Sequence, residues 1–427
     1  MITFLCDFIF IIFALIYFPY VLMKGKWHAG FWQRMGFFPG SLRRDLAEKP
    51  NIWFHAVSVG EVMAVAGLIE KVRARYPGSR VVLSTVTTTG YSIACRTLNP
   101  EDRVIYAPLD FSATVRTFIA VIRPRIYVTA ETEIWPNLFT ALARRDIAIV
   151  VVNGRISDKS FYGYRKVAAL LLRVLKGVKA FCMQSELDAD RIMALGARPR
   201  RVFVVGSMKF DDTPPPLPDT LPPLNFENKE WLWIAGSTHP GEEKIMLDIA
   251  AGLRKEFPRL SLVIAPRHIE RTEEVMTLVG ESGFKAVRFS QASGRALSPE
   301  TVVVVDTIGH LRSLYALARV VFVGKSLTAE GGQNIIEPAF FGKAIVIGPH
   351  MENFRGIAEV FLEADSIVQV SDARDLNFQM RRLLGDPSLL DLLGRRAKIM
   401  VTKHRGATAK TAEIISGLLA AVPSNEC

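Results

Sequence analysis

From Asn51 onward the chain alternates short β-branched runs with stretches of helical period, twice over, on either side of a proline-rich break. NIWFHAV (51–57), RVVLSTV (80–86), RVIYAPL, RIYVTAE, IAIVVVNGR, KAFCMQS and RVFVVGS read as strands. Between them, segments such as EVMAVAGLIEKVRARYP and FSATVRTFIAVIRP space their apolar residues as amphipathic helices do. Strands alternating with helices of about 10–15 residues imply βαβ crossovers and a parallel sheet covered on both faces. Residues 211–224 (DDTPPPLPDTLPPL) then hold six prolines and no period, the composition of an extended linker. Beyond it EWLWIAGS, SLVIAPRH, TVVVVDTI, RVVFVGKS and AIVIGP restart the series, and roughly 374–422 reads as helical throughout. A chain of 427 residues is long enough for two such cores. The expectation is α/β: two doubly wound domains over 24–210 and 228–400, a linker over 211–227, and a C-terminal helix over 401–427 packing back towards the first domain. The two domains are expected to form a cleft, with ligands at the carboxyl ends of the strands.

Residues 1–23 (MITFLCDFIFIIFALIYFPYVLM) carry one charge, Asp7, with no Lys or Arg before the apolar run and no small-residue cleavage site after it. A cleaved signal peptide therefore fits poorly. Lys24, Lys26, Arg34, Arg43 and Arg44 follow at once, which places the rest of the chain on the cytoplasmic side of a membrane. From Phe8 to Met23 a helix reaches only about 24 Å, short of a hydrocarbon core of about 30 Å. Using residues 2–23 it spans, with Asp7 near the far interface. A single-pass anchor is the expectation, and an interfacial helix the alternative.

Net charge is +11, which suits an anionic partner: nucleic acid, an acidic membrane surface or a phosphorylated substrate. Nucleic acid is set aside, because no RNA-recognition aromatic motif or helix-turn-helix pattern accompanies the charge. No GxGxxG follows the first strand, which removes the main fingerprint of a dinucleotide redox enzyme. Gly324-Lys325-Ser326 looks like the end of a phosphate-binding P-loop, but Arg319 stands where its first glycine belongs. Cys6, Cys95, Cys182 and Cys427 are scattered, without a CxxC pair, against a zinc site or a disulfide framework.

The chemistry on offer lies at strand ends. Glu61 follows Gly60 where the first strand turns into a helix, placed for a general base or simply for an acid in a first helical turn. Glu131 and Glu133, before Trp135-Pro136, either cap the next helix or face the same cleft and alter the proton affinity of Glu61. Lys209, in GSMKFD, stands where the first domain ends, suited to a developing phosphate charge or to plain solvent. In the second half, GSTHPGEE (236–243) offers free helix-start N–H groups to a phosphate, Pro266-Arg267 a guanidinium, and Asn334 through Glu337 a helix start after a glycine pair. Taken together these describe a nucleotide pocket.

HAVSVGE, ETEIWPN, VNGRISDKS, GSMKFD, AGSTHPGEE, APRH, DTIGHL, FVGKSL, GGQNIIEP and GPHMENF run in the order they occupy in the 3-deoxy-D-manno-octulosonic acid (Kdo) transferases, which the chain resembles over essentially its whole length. The resemblance implies a GT-B fold, two Rossmann-like domains facing across a cleft, and inverting transfer of Kdo from CMP-Kdo to a lipid A precursor at the inner membrane. It implies no metal and no cofactor. By the same resemblance Glu61 is the general base, and Glu131 and Lys209 assist the transition state. Pro266, Arg267, Ile308, Gly309, His310, Asn334, Ile335, Ile336 and Glu337 hold CMP. His310 departs from the pattern, standing where an acidic residue is common. The alternatives are another GT-B nucleotide-sugar transferase or epimerase, and a non-catalytic membrane-bound nucleotide-binding protein.

Overall fold

The computed structural model describes residues 7–8, 11–12, 28–211, 224–226, 231–294 and 296–421. Most of the apolar segment 1–23 and most of the proline-rich stretch 211–227 lie outside the described residues. The chain divides into two compact units, Met1–Asp212 with Arg405–Cys427, and Thr213–His404.

The first unit is built on seven strands: β1 (Asn51–His55), β2 (Arg80–Thr85), β3 (Arg103–Tyr106), β4 (Pro124–Ala130), β5 (Ala148–Gly154), β6 (Ala180–Met183) and β7 (Val202–Val204). They pair in the order β3-β2-β1-β4-β5-β6-β7, every pair parallel. The strand sequences dictate this arrangement. β1, β2, β5 and β6 are buried at every position, as strands covered on both faces must be, so they read as near-continuous apolar runs. Neighbouring residues then serve opposite layers: Trp53 packs with Phe118, Tyr127 and Phe139, whereas Phe54 packs with Val65, Val128 and Val150.

That second layer is completed from the far end of the chain. The helix Ala407–Ala420 lies against the helix Val59–Arg75, with Ala412, Ile415 and Leu419 buried in the same cluster as Val62, Leu68 and Ile69. Burying Ile415 and Leu419 contributes about 1.5–3 kcal/mol each. Asp211 fixes the start of the returning helix, its two oxygens accepting the Gly406 amide at 2.5 Å and the Thr408 amide at 2.6 Å. The helical tail expected over 374–422 is three helices, Ala373–Gly385, Pro387–Lys403 and Ala407–Ala420, of which only the last belongs to the first unit.

The second unit repeats the plan. Its strands are β9 (Leu232–Thr238), β10 (Ser261–Pro266), β11 (Lys285–Arg288), β13 (Thr301–Val304), β14 (Val320–Val323), β15 (Ala344–Ile347) and β16 (Val368–Gln369), ordered β11-β13-β10-β9-β14-β15-β16 and all parallel. A separate two-residue pair joins β8 (Asn225–Phe226) to β12 (Ala296–Leu297). In each main sheet the order reverses beside the first strand, between β1 and β4 and between β9 and β14. Those switch points are where a doubly wound sheet opens a crevice for ligands.

At the N-terminus the structure corrects one expectation. Asp7 does not stand apart at a far interface: Oδ1 accepts the Ser112 amide and the Asn137 side-chain amide, both at 2.9 Å, and Oδ2 accepts the Ser112 hydroxyl at 2.5 Å. A carboxylate takes such partners because each N–H or O–H replaces a water it would otherwise keep. Phe8, Ile11 and Ile12 beside it are exposed. Among the described residues no helix is long and apolar enough to cross a membrane.

Candidate active site

In the first unit the site is built where β1, β4 and β5 end. Ser58 caps the helix Val59–Arg75, its hydroxyl oxygen accepting the Glu61 amide at 3.4 Å. Glu61 answers in the manner of a capping box: Oε2 accepts the Val57 amide at 2.8 Å and Oε1 accepts the Ser58 hydroxyl at 2.9 Å. Its carboxyl is pushed up to about 7, chiefly by burial. The Val57 and Ser58 hydrogen bonds oppose that rise, and the charges of Glu131 and Glu133 reinforce it. A carboxyl that titrates near neutrality suits proton abstraction, since it is both available as base and appreciably basic.

Glu131 follows β4 with φ at +53°, a left-handed backbone held in place because its amide continues the ladder to the Val152 carbonyl at 2.8 Å. Asn153, in β5, is left-handed as well, at φ +52°, and its Oδ1 accepts the Met208 amide at 3.1 Å. That bond sets the short turn Met208–Phe210, and with it Lys209. Two strained non-glycine residues at adjacent strand ends, each fixed by ladder or side-chain bonds, are what a site held in one geometry requires.

Lys209 lies close enough to Glu131 and Glu61 for both charges to favour its protonated form. Burial outweighs them and lowers its pKa, with the neighbouring Arg155 adding to the fall. The structure therefore brings Glu61, Glu131 and Lys209 into one electrostatic group. Glu133 joins them, its own carboxyl raised by burial and by the Glu131 charge, with the nearby Trp135 indole opposing the rise. Arg155 was not singled out in the sequence. Its signal was faint: it follows the β5 end, in VNGRISDKS, where ligand-facing residues are to be expected.

In the second unit the residues expected to hold the donor lie at strand ends or in the loops that follow them. Pro266 closes β10 and is buried, while Arg267 is exposed, its amide bonded to the Thr238 carbonyl at 3.0 Å. After β13 comes Ile308, 80% exposed, then Gly309 at φ +94°. His310 Nδ1 lies 3.1 Å from the Thr307 hydroxyl and its ring 5.4 Å from that of Phe289. Asn334 stands just before the helix Ile336–Phe340: Oδ1 accepts the Ile336 amide at 3.0 Å, and Nδ2 donates to Glu337 Oε1 at 3.2 Å. Ile335 and Ile336 are buried, so only their backbones can face a ligand. Glu337 also stands near the Tyr315 hydroxyl, which packs over Gly236 of β9 so closely that any Cβ there would collide with it.

GSTHPGEE proves to be something other than an open phosphate cradle. Glu242 is fully buried and its carboxylate accepts the amides of His239 (2.9 Å), Lys325 (2.8 Å), Ser326 (3.0 Å) and Leu327 (3.0 Å). Glu243 is equally buried, taking the Thr238 hydroxyl at 2.9 Å and the Arg271 guanidinium at 2.7 Å. Glu242 fastens the loop after β9 to the loop after β14, and Glu243 ties the end of β9 to Arg271 beyond β10. An anion approaching those amides would have to displace a carboxylate.

The family model described as 3-deoxy-D-manno-octulosonic-acid transferase (kdotransferase) matches residues 29–212, the first unit. The 3-deoxy-D-manno-octulosonic acid transferase of Rickettsia felis is 30% identical over 348 residues, which cover 81% of this chain and 74% of that one. The chain belongs to the Kdo transferase family. Haemophilus influenzae has a transferase of the same description, 29% identical over 392 residues, with 91% of each chain covered. A bifunctional glycosyltransferase/methyltransferase of Fusobacterium nucleatum is 34% identical over 346 residues, but this chain spans only 52% of its length. In fold, a UDP-N-acetylglucosamine 2-epimerase matches with a TM-score of 0.59 at 14% identity, over 87% of this chain and 95% of that one. A putative enzyme of the same kind from Listeria monocytogenes gives 0.57 at 14% identity, over 87% and 96%. The fold is thus GT-B, and the chain is a glycosyltransferase.

Proposed function

We propose that the chain transfers Kdo from CMP-Kdo to a lipid A precursor (lipid IVA), with inversion at the anomeric carbon, in lipopolysaccharide core assembly. The observation that carries the reading is Glu61, a carboxyl raised to about 7 by burial and by Glu131 and Glu133, with the Lys209 ammonium nearby. Glu61 takes the proton of the acceptor hydroxyl, whose oxygen attacks the anomeric carbon as the bond to the CMP phosphate breaks. Lys209 and Arg155 supply positive charge for the oxygen that gains it. Arg267, His310 and the Asn334–Glu337 turn hold the nucleotide, Glu337 accepting from ribose hydroxyls. The enzyme works at the cytoplasmic face of the inner membrane, attached through its apolar N-terminal segment. That placement is supported by Lys24 and Lys26 directly after the segment and by the +11 net charge.

The test is incubation with CMP-Kdo and a tetra-acylated precursor, reading CMP release and product mass. Glu61→Gln should lower turnover by about 10²–10⁴-fold while CMP still binds. Turnover above a tenth of normal in that variant would remove Glu61 from the role of base.

A further inference from the structure

The Gly324-Lys325-Ser326 tripeptide has no part in the mechanism above, yet its lysine sits in a strained backbone position at the switch point of the second unit. Lys325 stands two residues beyond the end of β14, after Gly324, with φ at +56°. Ser237, near the end of the neighbouring β9, has φ +56° too. These two left-handed residues flank the β9/β14 boundary, the switch point of the sheet.

The strain is held from several sides. The Lys325 amide donates to buried Glu242 at 2.8 Å, and its carbonyl accepts the Gly332 amide at 2.7 Å. Gly324 before it lies so close to β9 that a Cβ there would stand 2.4 Å from the Ser237 carbonyl oxygen. Glycine would meet a left-handed position without steric penalty, so a lysine there carries a conformational cost. What it supplies is its charge. Nζ lies over the Gly331 backbone, 3.2 Å from where a Cβ on that glycine would be. Among the described residues no carboxylate is paired with it. Burial lowers the pKa of the His239 imidazole; the Ser237 carbonyl and Glu242 oppose the fall, while the Lys325 charge and His268 add to it. With Arg267 beside His268, four groups able to carry positive charge gather at the ends of three adjacent strands, β10, β9 and β14.

We propose that Lys325 binds an anionic group of the sugar nucleotide, its phosphate or the carboxylate of the transferred acid, at the β9/β14 crevice. The proposal rests on reading this unit as the donor site. Lys325 is a binding residue there, and the left-handed backbone turns its ammonium towards Gly331, three residues before Asn334.

The experiment is calorimetric titration of the full chain with cytidine, CMP and CMP-Kdo, using Lys325→Met, Lys325→Arg and Lys325→Gly. Lys325→Met should weaken binding of the anionic ligands by about 10-fold or more, leave cytidine unchanged, and be largely rescued in Lys325→Arg. Loss on both CMP and CMP-Kdo assigns the contact to phosphate; loss on CMP-Kdo alone assigns it to the carboxylate. Lys325→Gly should bind as poorly as Lys325→Met yet unfold at a higher temperature than the parent, because glycine accepts this φ freely. A lysine kept for stability alone would give the reverse, a lower melting temperature with intact affinity. If the parent chain binds CMP and Lys325→Met matches it on both anionic ligands, the lysine assignment is overturned while the donor reading stands. If the parent binds CMP no better than cytidine, both fall.

Discussion

Glu61 Oε2 accepts the Val57 amide at 2.8 Å, so the carboxylate proposed as the base also closes the entry to its own helix. The two duties compete. A helix start favours a charged glutamate, whereas burial beside Glu131 and Glu133 disfavours one, and the balance comes out near neutrality.

The first consequence is a pH profile. kcat/KM should rise with pH through about 7, as Glu61 loses its proton, and level off above. Glu133→Gln removes one of the charges that raises Glu61, so the rising limb should move to lower pH. An unmoved limb in that variant, measured from pH 5 to 9, would mean that a different group is titrating.

The second concerns stability. A carboxyl whose folded pKa stands above its unfolded value holds its proton more tightly when folded, so stability is greatest at low pH and is lost as pH rises through the folded pKa. For Glu61 that window runs from about the ordinary glutamate range up to about 7. Glu61→Gln should therefore stabilise the chain by about 1–2 kcal/mol at pH 8, after discounting for partial exposure, and by almost nothing at pH 4. Thermal unfolding of the two proteins at both values checks this. Equal differences at pH 4 and pH 8 would show that charge burial is not the cause.

Much of this was legible in sequence because it is local. Val and Ile runs bounded by glycine and acidic residues gave the strands, and strand ends gave Glu61, Glu131, Lys209 and Arg267 as positions. The misreading of GSTHPGEE has the opposite origin. Glu242 satisfies the amides of Lys325, Ser326 and Leu327, more than eighty residues away, and no local pattern announces a contact between two loops. Asp7 likewise looked like an isolated charge in an apolar run until the fold supplied Ser112 and Asn137. Arg155 was passed over because one arginine after a strand carries little signal until Lys209 is placed beside it.

The third prediction concerns the donor. Arg267→Ala and Glu337→Ala each leave a ligand polar group without its partner, a loss of about 1–3 kcal/mol, or roughly 5- to 150-fold in CMP affinity. Glu337→Ala should also release the Asn334 side chain it accepts from at 3.2 Å, so its effect should include the Asn334 bond to the Ile336 amide. Combining Glu337→Ala with Asn334→Ala should then cost less than the sum of the two singly. Strict additivity in titrations with CMP would separate the two residues.

The last prediction uses Asp7 as a fastening for the apolar N-terminal segment. Three hydrogen bonds join it to Ser112 and Asn137, and Asp110 stands alongside, accepting the Asn137 and Leu138 amides at 3.0 and 2.9 Å. The Asp110 carboxyl is raised to about 6, mainly by burial, against the pull of those amides and with the Asp7 charge adding to the rise. Asp7→Ala removes the fastening and the like charge together. It should lower stability at pH 8 by about 1–3 kcal/mol through the lost partners, offset in part by relief of the repulsion. Protease should cut the N-terminal segment faster, while turnover on detergent-dispersed acceptor stays near normal, since Asp7 is not among the groups around Glu61. Because Asp110 then titrates lower, the loss of stability on raising the pH from 5 to 7 should be smaller in the variant than in the parent. Unchanged proteolysis together with an unchanged pH dependence of melting would show that Asp7 fastens nothing, and the segment would have to be held by its apolar residues alone.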